Sequence, residues 1–267
     1  MRYLIIDEHP SKVNRMEFLE KNANYDRLLN SRNSLPSDAS SIIVNGIKRG
    51  CQDRIIEANN KGIPWIHTDN GYFGKDIRFS INSTTPIKIV RKEARFKLDS
   101  FSPYRGGSGK YVLILPPGED YAKFFNISSF LDQLIPILNR KTDLDIVVRP
   151  QPLGNKIYPG NRTSLIEHLE HAYVVIAWGS AVCITAVQMG IPTISLGWCP
   201  MLPISFSFDK VFTSAVAVEP KRSEAISNQT WFSINYDEYE GNRKGIFECL
   251  LKSLDKQSKD KFLLEPI

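Results

Sequence analysis

Residues 173–197 read YVVIAWGSAVCITAVQMGIPTISLG, and the order of residue types along this stretch decides the fold class. Residues 173–177 form a short, β-branched apolar run without alternation, the pattern of a strand covered on both faces. Trp178-Gly179-Ser180 makes a tight turn, a helix runs on to about Met189, and Gly190 stops it with Pro192 close behind. A second apolar run to about Leu196 supplies another strand. This is a βαβ unit, and its ligand site falls at the turn.

A helix that starts directly after a Gly-Ser turn directs unpaired N–H groups and the positive end of its dipole into the crevice at the strand's carboxyl end. That geometry favours a phosphate. Ser180 is the expected N-cap, and Thr185 and Gln188, three apart, share a helix face with Ala181. A hydroxyl or amide one turn in from a phosphate is placed to meet a ribose. A plain parallel-sheet unit with no ligand accounts for the same pattern.

At 267 residues the chain holds one large domain or two compact ones. Composition is that of a globular protein, 42% hydrophobic and 24% charged, and no apolar run reaches the length of a membrane span. The opening MRYLIIDEHPSK is a short strand followed by charges rather than a signal peptide, so the expected location is the cytoplasm. Cys51, Cys183, Cys199 and Cys249 are scattered without a Cys-x-x-Cys pair, which indicates reduced core thiols rather than a disulfide framework or zinc site.

Strands alternate with helices along the amino-terminal part: strands at 3–6, 41–44 and 64–67, helices at 11–22 and 51–61, and a polar, irregular 23–40. Asp7 and His9 follow the first strand as minor candidates for acid/base work; a turn capped by Asp7 explains them equally well. The third strand delivers Thr68-Asp69-Asn70-Gly71-Tyr72-Phe73-Gly74 to the same sheet edge. Tyr72 and Phe73 are suited to stack on a flat ring while Asp69 takes a proton from a hydroxyl; an Asx turn with two core aromatics is the plainer reading.

A strand at 78–82 (RFSIN) opens a basic segment. Between Arg78 and Lys110 there are eight Lys or Arg against Glu93 and Asp99, a net +6 that exceeds the +5 of the whole chain. Lys88, Arg91, Lys92 and Arg95 fall at i, i+3, i+4 and i+7, while Ile87, Val90, Ala94 and Leu98 make a separate apolar stripe. This spacing predicts an amphipathic helix whose cationic face either grips an anionic backbone or is simply solvated.

Residues 101–109 (FSPYRGGSG) read as a linker between an amino-terminal domain, 1–100, and a carboxyl-terminal domain, 110–267. The second domain restarts with a strand at 111–115 and a Pro116-Pro117-Gly118 loop. A mainly helical 121–140, a strand at 146–149 and a helix at 164–171 follow, with further strands at 211–218 and closing helices at 231–254. Arg149, at a strand end, offers a planar fork to a phosphate, or a surface ion pair. Asp143-Leu144-Asp145 precedes a strand rather than following one, so metal binding is not expected there. His168 and His171 lack the spacing of a zinc helix.

The 173–197 stretch resembles the donor-binding segment of GT-B-type nucleotide-sugar glycosyltransferases and related epimerases, through Ser180 and Gly190-Ile191-Pro192. Where that family places a ribose-binding Glu, this chain has Thr185. The chain as a whole looks like a group of phage and prophage proteins with a glycosyltransferase-like carboxyl half, by DNGYF (69–73), RFSIN (78–82), VLILPPG (112–118), VVRPQP (147–152) and residues 164–192.

The resemblance implies two Rossmann-like α/β domains facing across a cleft and a metal-independent glycosyl transfer. A UDP-linked sugar would bind at Gly118, Arg149, Gly179, Ser180, Ala181 and Thr185. The acceptor would lie against the catalytic Asp69 and against Asn70, Tyr72, Phe73, Arg78, Lys88, Arg91, Lys92 and Arg95. For phage relatives the first expected acceptor is hydroxymethylpyrimidine in double-stranded DNA, within the host cytoplasm; a surface glycan or small molecule is the second. A nucleotide- or nucleic-acid-binding protein without transfer activity is the reading from a different class.

Overall fold

The computed structural model describes residues 1–6, 17, 19–21, 23, 25–70, 76–83, 101–150, 164–197, 199, 201, 204–212 and 234–235, with backbone only at 76, 234 and 235. The chain divides into two compact units: Met1–Ala94 together with Trp231–Ile267, and Arg95–Thr230.

In the first unit, β1 (Arg2–Ile6), β2 (Arg27–Asn30), β3 (Ser41–Asn45) and β4 (Trp65–Asn70) are parallel, and β5 (Asp76–Ile81) runs antiparallel to β4. Leu4, Ile5, Ile42, Ile43, Val44 and Ile66 are almost wholly buried, as the unalternated apolar runs predict. Residues 23–40, expected to be irregular, contain β2. It is an edge strand whose Leu28 is 46% exposed, so it carries none of the apolar signal of a covered strand.

Helix α1 (Cys51–Asn60) packs on β3 and β1 through Cys51, Gln52, Ile55 and Ala58. Glu57 ties it to the preceding loop: both carboxylate oxygens accept from the Leu35 N–H at 3.0 and 3.1 Å, while Arg54 and Lys61 close on it at 2.6 and 2.7 Å.

The second unit holds β6 (Tyr111–Leu115), α2 (Glu119–Phe124), α3 (Phe130–Asn139), β7 (Asp145–Val148), α4 (Leu165–His171), β8 (Ala172–Ala177), α5 (Val182–Gln188), β9 (Thr193–Ser195) and α6 (Phe208–Val211). All four strands are parallel, in the order β7-β6-β8-β9. Val112, Ile114, Val174 and Ile176 share one core with Phe130, Leu134 and Leu138 of α3. Leu113 and Val175, which alternate to the opposite face, are equally buried, so the central strands are covered on both sides. Helix α4 begins with a capping box: the Glu167 N–H donates to Ser164 Oγ at 3.1 Å, and the Ser164 N–H to Glu167 Oε2 at 2.6 Å.

Helix α5 ends in a Schellman motif, with the Ile191 N–H on the Ala186 carbonyl at 2.9 Å and the Gly190 N–H on that of Val187 at 3.0 Å. Gly190 carries the required left-handed backbone, φ +77°. Residues 101–109 were expected to be a linker. Instead they lie within the second unit, strapped to this helix end by the Ser102 N–H on the Gln188 carbonyl and the Arg105 N–H on that of Gly190, both at 2.8 Å. The glycines that suggested freedom permit close packing: a Cβ on Gly109 would lie 2.1 Å from the Ala172 backbone, and one on Gly107 2.6 Å from the Tyr173 ring.

Two further readings are corrected. Val211, expected to begin strands, ends α6, whose first turn is capped by Ser207 accepting from the Lys210 N–H. Within 231–254, expected as closing helices of the second domain, the described residues form β10 (Ile234–Asn235), paired antiparallel with Asp76 and Ile77 of β5. The first sheet therefore reads β10-β5-β4-β3-β1-β2. Among the described residues no helix is long and apolar enough to cross a membrane.

Candidate functional site

The order β7-β6-β8-β9 fixes where a ligand is met in the second unit. From β6 the chain steps outward to β7, then crosses back to β8 and continues outward to β9 on the other side. Between β6 and β8 the connections therefore diverge and leave a crevice beyond the carboxyl ends of the strands. Leu115 and Ala177 are the last paired residues of these two strands. Beyond them the chain turns through Pro116-Pro117-Gly118 into α2 and through Trp178-Gly179-Ser180-Ala181 into α5. Gly118 and residues 179–181, far apart in sequence, are thereby brought to the same crevice.

The turn after β8 places Gly179 at φ +57°, and Ser180 makes the contact expected of a capping serine: its Oγ accepts from the Val182 N–H at 3.2 Å, while Ala181 already has helical backbone. The Cys183 and Ile184 N–H groups close on the carbonyls of Ser180 and Ala181 at 3.2 and 3.0 Å. What remains are the amides of Gly179, Ser180 and Ala181, which have no partner among the described residues. Three successive backbone donors beside a left-handed turn are chemically suited to an anion. Thr185 and Gln188 are half-buried on the same side of α5 as the exposed Ala181, while Cys183, Ile184, Ala186 and Val187 face the core.

Arg149 follows β7, the edge strand beside β6, and its N–H extends the ladder to the Ile114 carbonyl at 2.9 Å. Its guanidinium Nη1 lies 2.9 Å from Nδ1 of His168 on α4. Burial, followed by the Arg149 charge, holds the His168 imidazole below its ordinary value. A neutral imidazole is the acceptor this contact needs.

Sequence reasoning passed over an aromatic group at the same crevice. Trp178, in the turn itself, lies 6.2 Å from the rings of both Phe125 and Phe130, and Phe125 stacks on Tyr121 at 6.2 Å. The indole rests against Gly197, where a Cβ would stand 2.7 Å from Trp178 Nε1. The signal was present in Trp178 beside Gly179, and in the aromatic spacing of Tyr121 and Phe125 on the helix that starts at Gly118.

In the first unit, Asp69 and Arg78 face each other across β4 and β5. Arg78 Nη2 lies 2.9 Å from Asp69 Oδ2, and the side chains are 13% and 14% exposed respectively. Asp69 Oδ1 accepts from the Asn70 N–H at 2.8 Å. Both Asp69 oxygens are thus engaged. Tyr72, Phe73, Lys88, Arg91, Lys92 and Arg95, like Asp7 and His9, lie outside the described residues. Asp145 opens β7, so Asp143 and Asp145 stand at the amino edge of the parallel sheet, opposite the turns described above.

The two open, largely parallel sheets with helix crossovers define an α/β protein with a Rossmann-like second unit. No family model matches the chain, and no curated protein matches it. Among solved structures it is similar to the β-Kdo 2,4 transferase of Thermosulfurimonas dismutans KpsC, at 11% identity over 90% of this chain and 97% of that one, with a TM-score of 0.44. It is also similar to the β-Kdo 2,7 transferase of KpsC from the same organism, at 12% identity over 86% of this chain and 98% of that one, with a TM-score of 0.43.

Proposed function

We propose that the chain is a glycosyltransferase whose second unit binds a nucleotide-activated sugar, UDP-linked, with its diphosphate at the crevice between β6 and β8. The observation that carries this reading is that Gly118 and the unpartnered amides of residues 179–181 follow the adjacent strands β6 and β8 at the point where strand order reverses. These donors stabilise the diphosphate without demanding a metal, and Arg149, in contact with the neutral His168, adds a positive charge at the end of the neighbouring strand. Trp178 and Phe125 supply apolar ring surface for the nucleotide base.

In the transfer, an acceptor oxygen bonds to the anomeric carbon as the bond from that carbon to the phosphate oxygen breaks. The nucleoside diphosphate leaves with the electron pair, and Asp69 takes the acceptor proton. The first acceptor we propose is hydroxymethylpyrimidine in duplex DNA, supported by the net +6 between Arg78 and Lys110, with a glycan hydroxyl second.

The test is thermal stabilisation by nucleoside diphosphates and nucleotide sugars, followed by measurement of diphosphate release with hydroxymethylated duplex DNA or with glycan acceptors. A ligand at about 100 times its Kd stabilises the fold by about 2.7 kcal/mol. Absence of stabilisation by every nucleotide would sink the donor site. Stabilisation without release on any acceptor favours the second reading, a nucleotide-binding protein without transfer activity. That reading is supported by Thr185 standing where the family has a carboxylate, and by the engagement of both Asp69 oxygens.

A further inference from the structure

We propose that the first unit carries a separate site at the start of α1, built for a phosphate that retains a hydrogen to donate, either free or as a monoester. The order β2-β1-β3-β4 makes the carboxyl ends of β1 and β3 the place where this sheet reverses direction, and α1 begins just beyond β3. The connection reads Gly46-Ile47-Lys48-Arg49-Gly50. Three of its five residues have left-handed backbone: Gly46 at φ +71°, Arg49 at +55° and Gly50 at +87°.

The loop is fixed without a ligand. Ser31 Oγ donates to the Arg49 carbonyl at 2.7 Å, the Gly46 N–H donates to that of Thr68 at 2.7 Å, and a Cβ on Gly50 would stand 3.0 Å from the Ser31 carbonyl oxygen. A non-glycine residue held at positive φ inside such a frame is a cost that functional loops commonly carry.

Gln52 points to the ligand. In the first turn the Cys51 N–H closes on the Lys48 carbonyl at 3.2 Å, and those of Asp53 and Arg54 close on Gly50 at 3.1 and 3.3 Å. The Gln52 N–H has no such partner among the described residues. The residue is 8% exposed, and its side-chain Oε1 is buried with no hydrogen-bond partner. Gln52 belongs to the side of α1 that packs on β3 and β1, and in the first turn that side looks onto the carboxyl ends of those strands.

One residue therefore presents an unused donor and an unused buried acceptor, with Lys48 and Arg49 adding positive charge and Asp53 the acid of the first turn. An oxyanion alone satisfies the N–H and repels the amide oxygen. A protonated phosphate satisfies both, whereas sulfate, of the same shape, has no hydrogen to give.

Calorimetric titration of the full chain with inorganic phosphate, sulfate and glucose 6-phosphate tests this, the first and third separating free phosphate from an ester. Phosphate or the ester is expected to bind at least about tenfold more tightly than sulfate, because a buried acceptor discriminates strongly against a ligand that cannot donate to it. Gln52→Leu removes that preference while keeping or raising the thermal midpoint, since it replaces an orphaned polar atom with an apolar one. Lys48→Ala weakens phosphate and sulfate alike and guards against a Gln52→Leu chain that does not fold. Equal affinity for phosphate and sulfate, binding unmoved by both substitutions, or no binding of any of the three anions overturns the proposal. The site does not depend on the reading of the second unit, because phosphate held at residues 179–181 is unmoved by either substitution.

Discussion

Arg149 donates from Nη1 to Nδ1 of His168 over 2.9 Å, and an imidazole accepts there only while that nitrogen is unprotonated. Burial and the guanidinium charge lower the histidine's folded value, so on acidification the unfolded chain takes up the proton first. The contribution to stability is complete above the ordinary value of about 6.5, is lost as pH falls from there to the lowered folded value, and changes no further below it. Urea midpoints measured at about pH 7.5 and about pH 5.5 are expected to fall toward acid, and His168→Asn to flatten the difference.

Gly190 combines φ +77° with a Cβ position 2.1 Å from the Pro103 carbonyl oxygen. Gly190→Ala therefore meets both backbone strain and a collision with the strap, and is expected to cost at least about 2 kcal/mol. A control at Gly62, with φ +66° and no atom near its Cβ position, isolates the strain from the collision. Equal losses at the two positions would show that the strap yields.

Asp69→Asn is the obvious test of the proposed base, yet it also strips Arg78 of its carboxylate in a mostly buried pair. A loss of about 1 to 3 kcal/mol is expected from the pair alone. Combining Asp69→Asn with Arg78→Met is expected to recover much of it. If transfer activity stays absent in the stabilised double variant while nucleotide binding persists, the chemical role of Asp69 is separated from its structural one.

Glu57 sits among three donors. Burial works against its charge, but the Lys61 ammonium, the Leu35 N–H and Arg54 outweigh it and hold the carboxyl below its ordinary value. Its stabilisation is present above the ordinary carboxylate range and is lost as pH falls through the lowered folded value. Glu57→Gln is expected to cost about 1 to 2 kcal/mol near neutral pH, read from denaturant midpoints, and to lose that deficit at low pH.

Cys51, Cys183 and Cys199 are buried thiols. The neighbouring Cys199, and then burial, push the Cys183 thiol well above its ordinary value. Of the four cysteines in the chain, no more than one is expected to react with a thiol reagent in the native protein, and all four after denaturation. Rapid native labelling of Cys183, located by peptide mapping, would contradict this packing.

Strands β6 and β8, with the helix and glycine stop after β8, were legible because covered parallel strands leave continuous apolar runs and a Schellman ending leaves a glycine. β2 was not, because an edge strand with an exposed Leu28 resembles a polar loop. Residues 101–109 misled because glycine marks close approach as well as freedom, and only Tyr173 and the Ala172 backbone show which applies. At the crevice, the glycines and the capping Ser180 declared themselves, while the approach of Arg149 to His168 is a tertiary contact that composition does not encode. The unsatisfied Gln52 was invisible for the same reason: its sequence neighbours are those of any helix start.

The pairing of Ile234–Asn235 with β5 makes the first unit discontinuous, with the second unit as an insertion inside it. During synthesis, all strands of the second sheet leave the ribosome before the last strand of the first does. The inserted unit can thus close its core while β5 still offers an open edge, the kind of edge that recruits foreign strands. The carboxyl-terminal segment acts as a late seal on that edge. A chain cut after Thr230 would keep the whole second unit yet leave the first unsealed, so its failure would be one of solubility before it was one of chemistry.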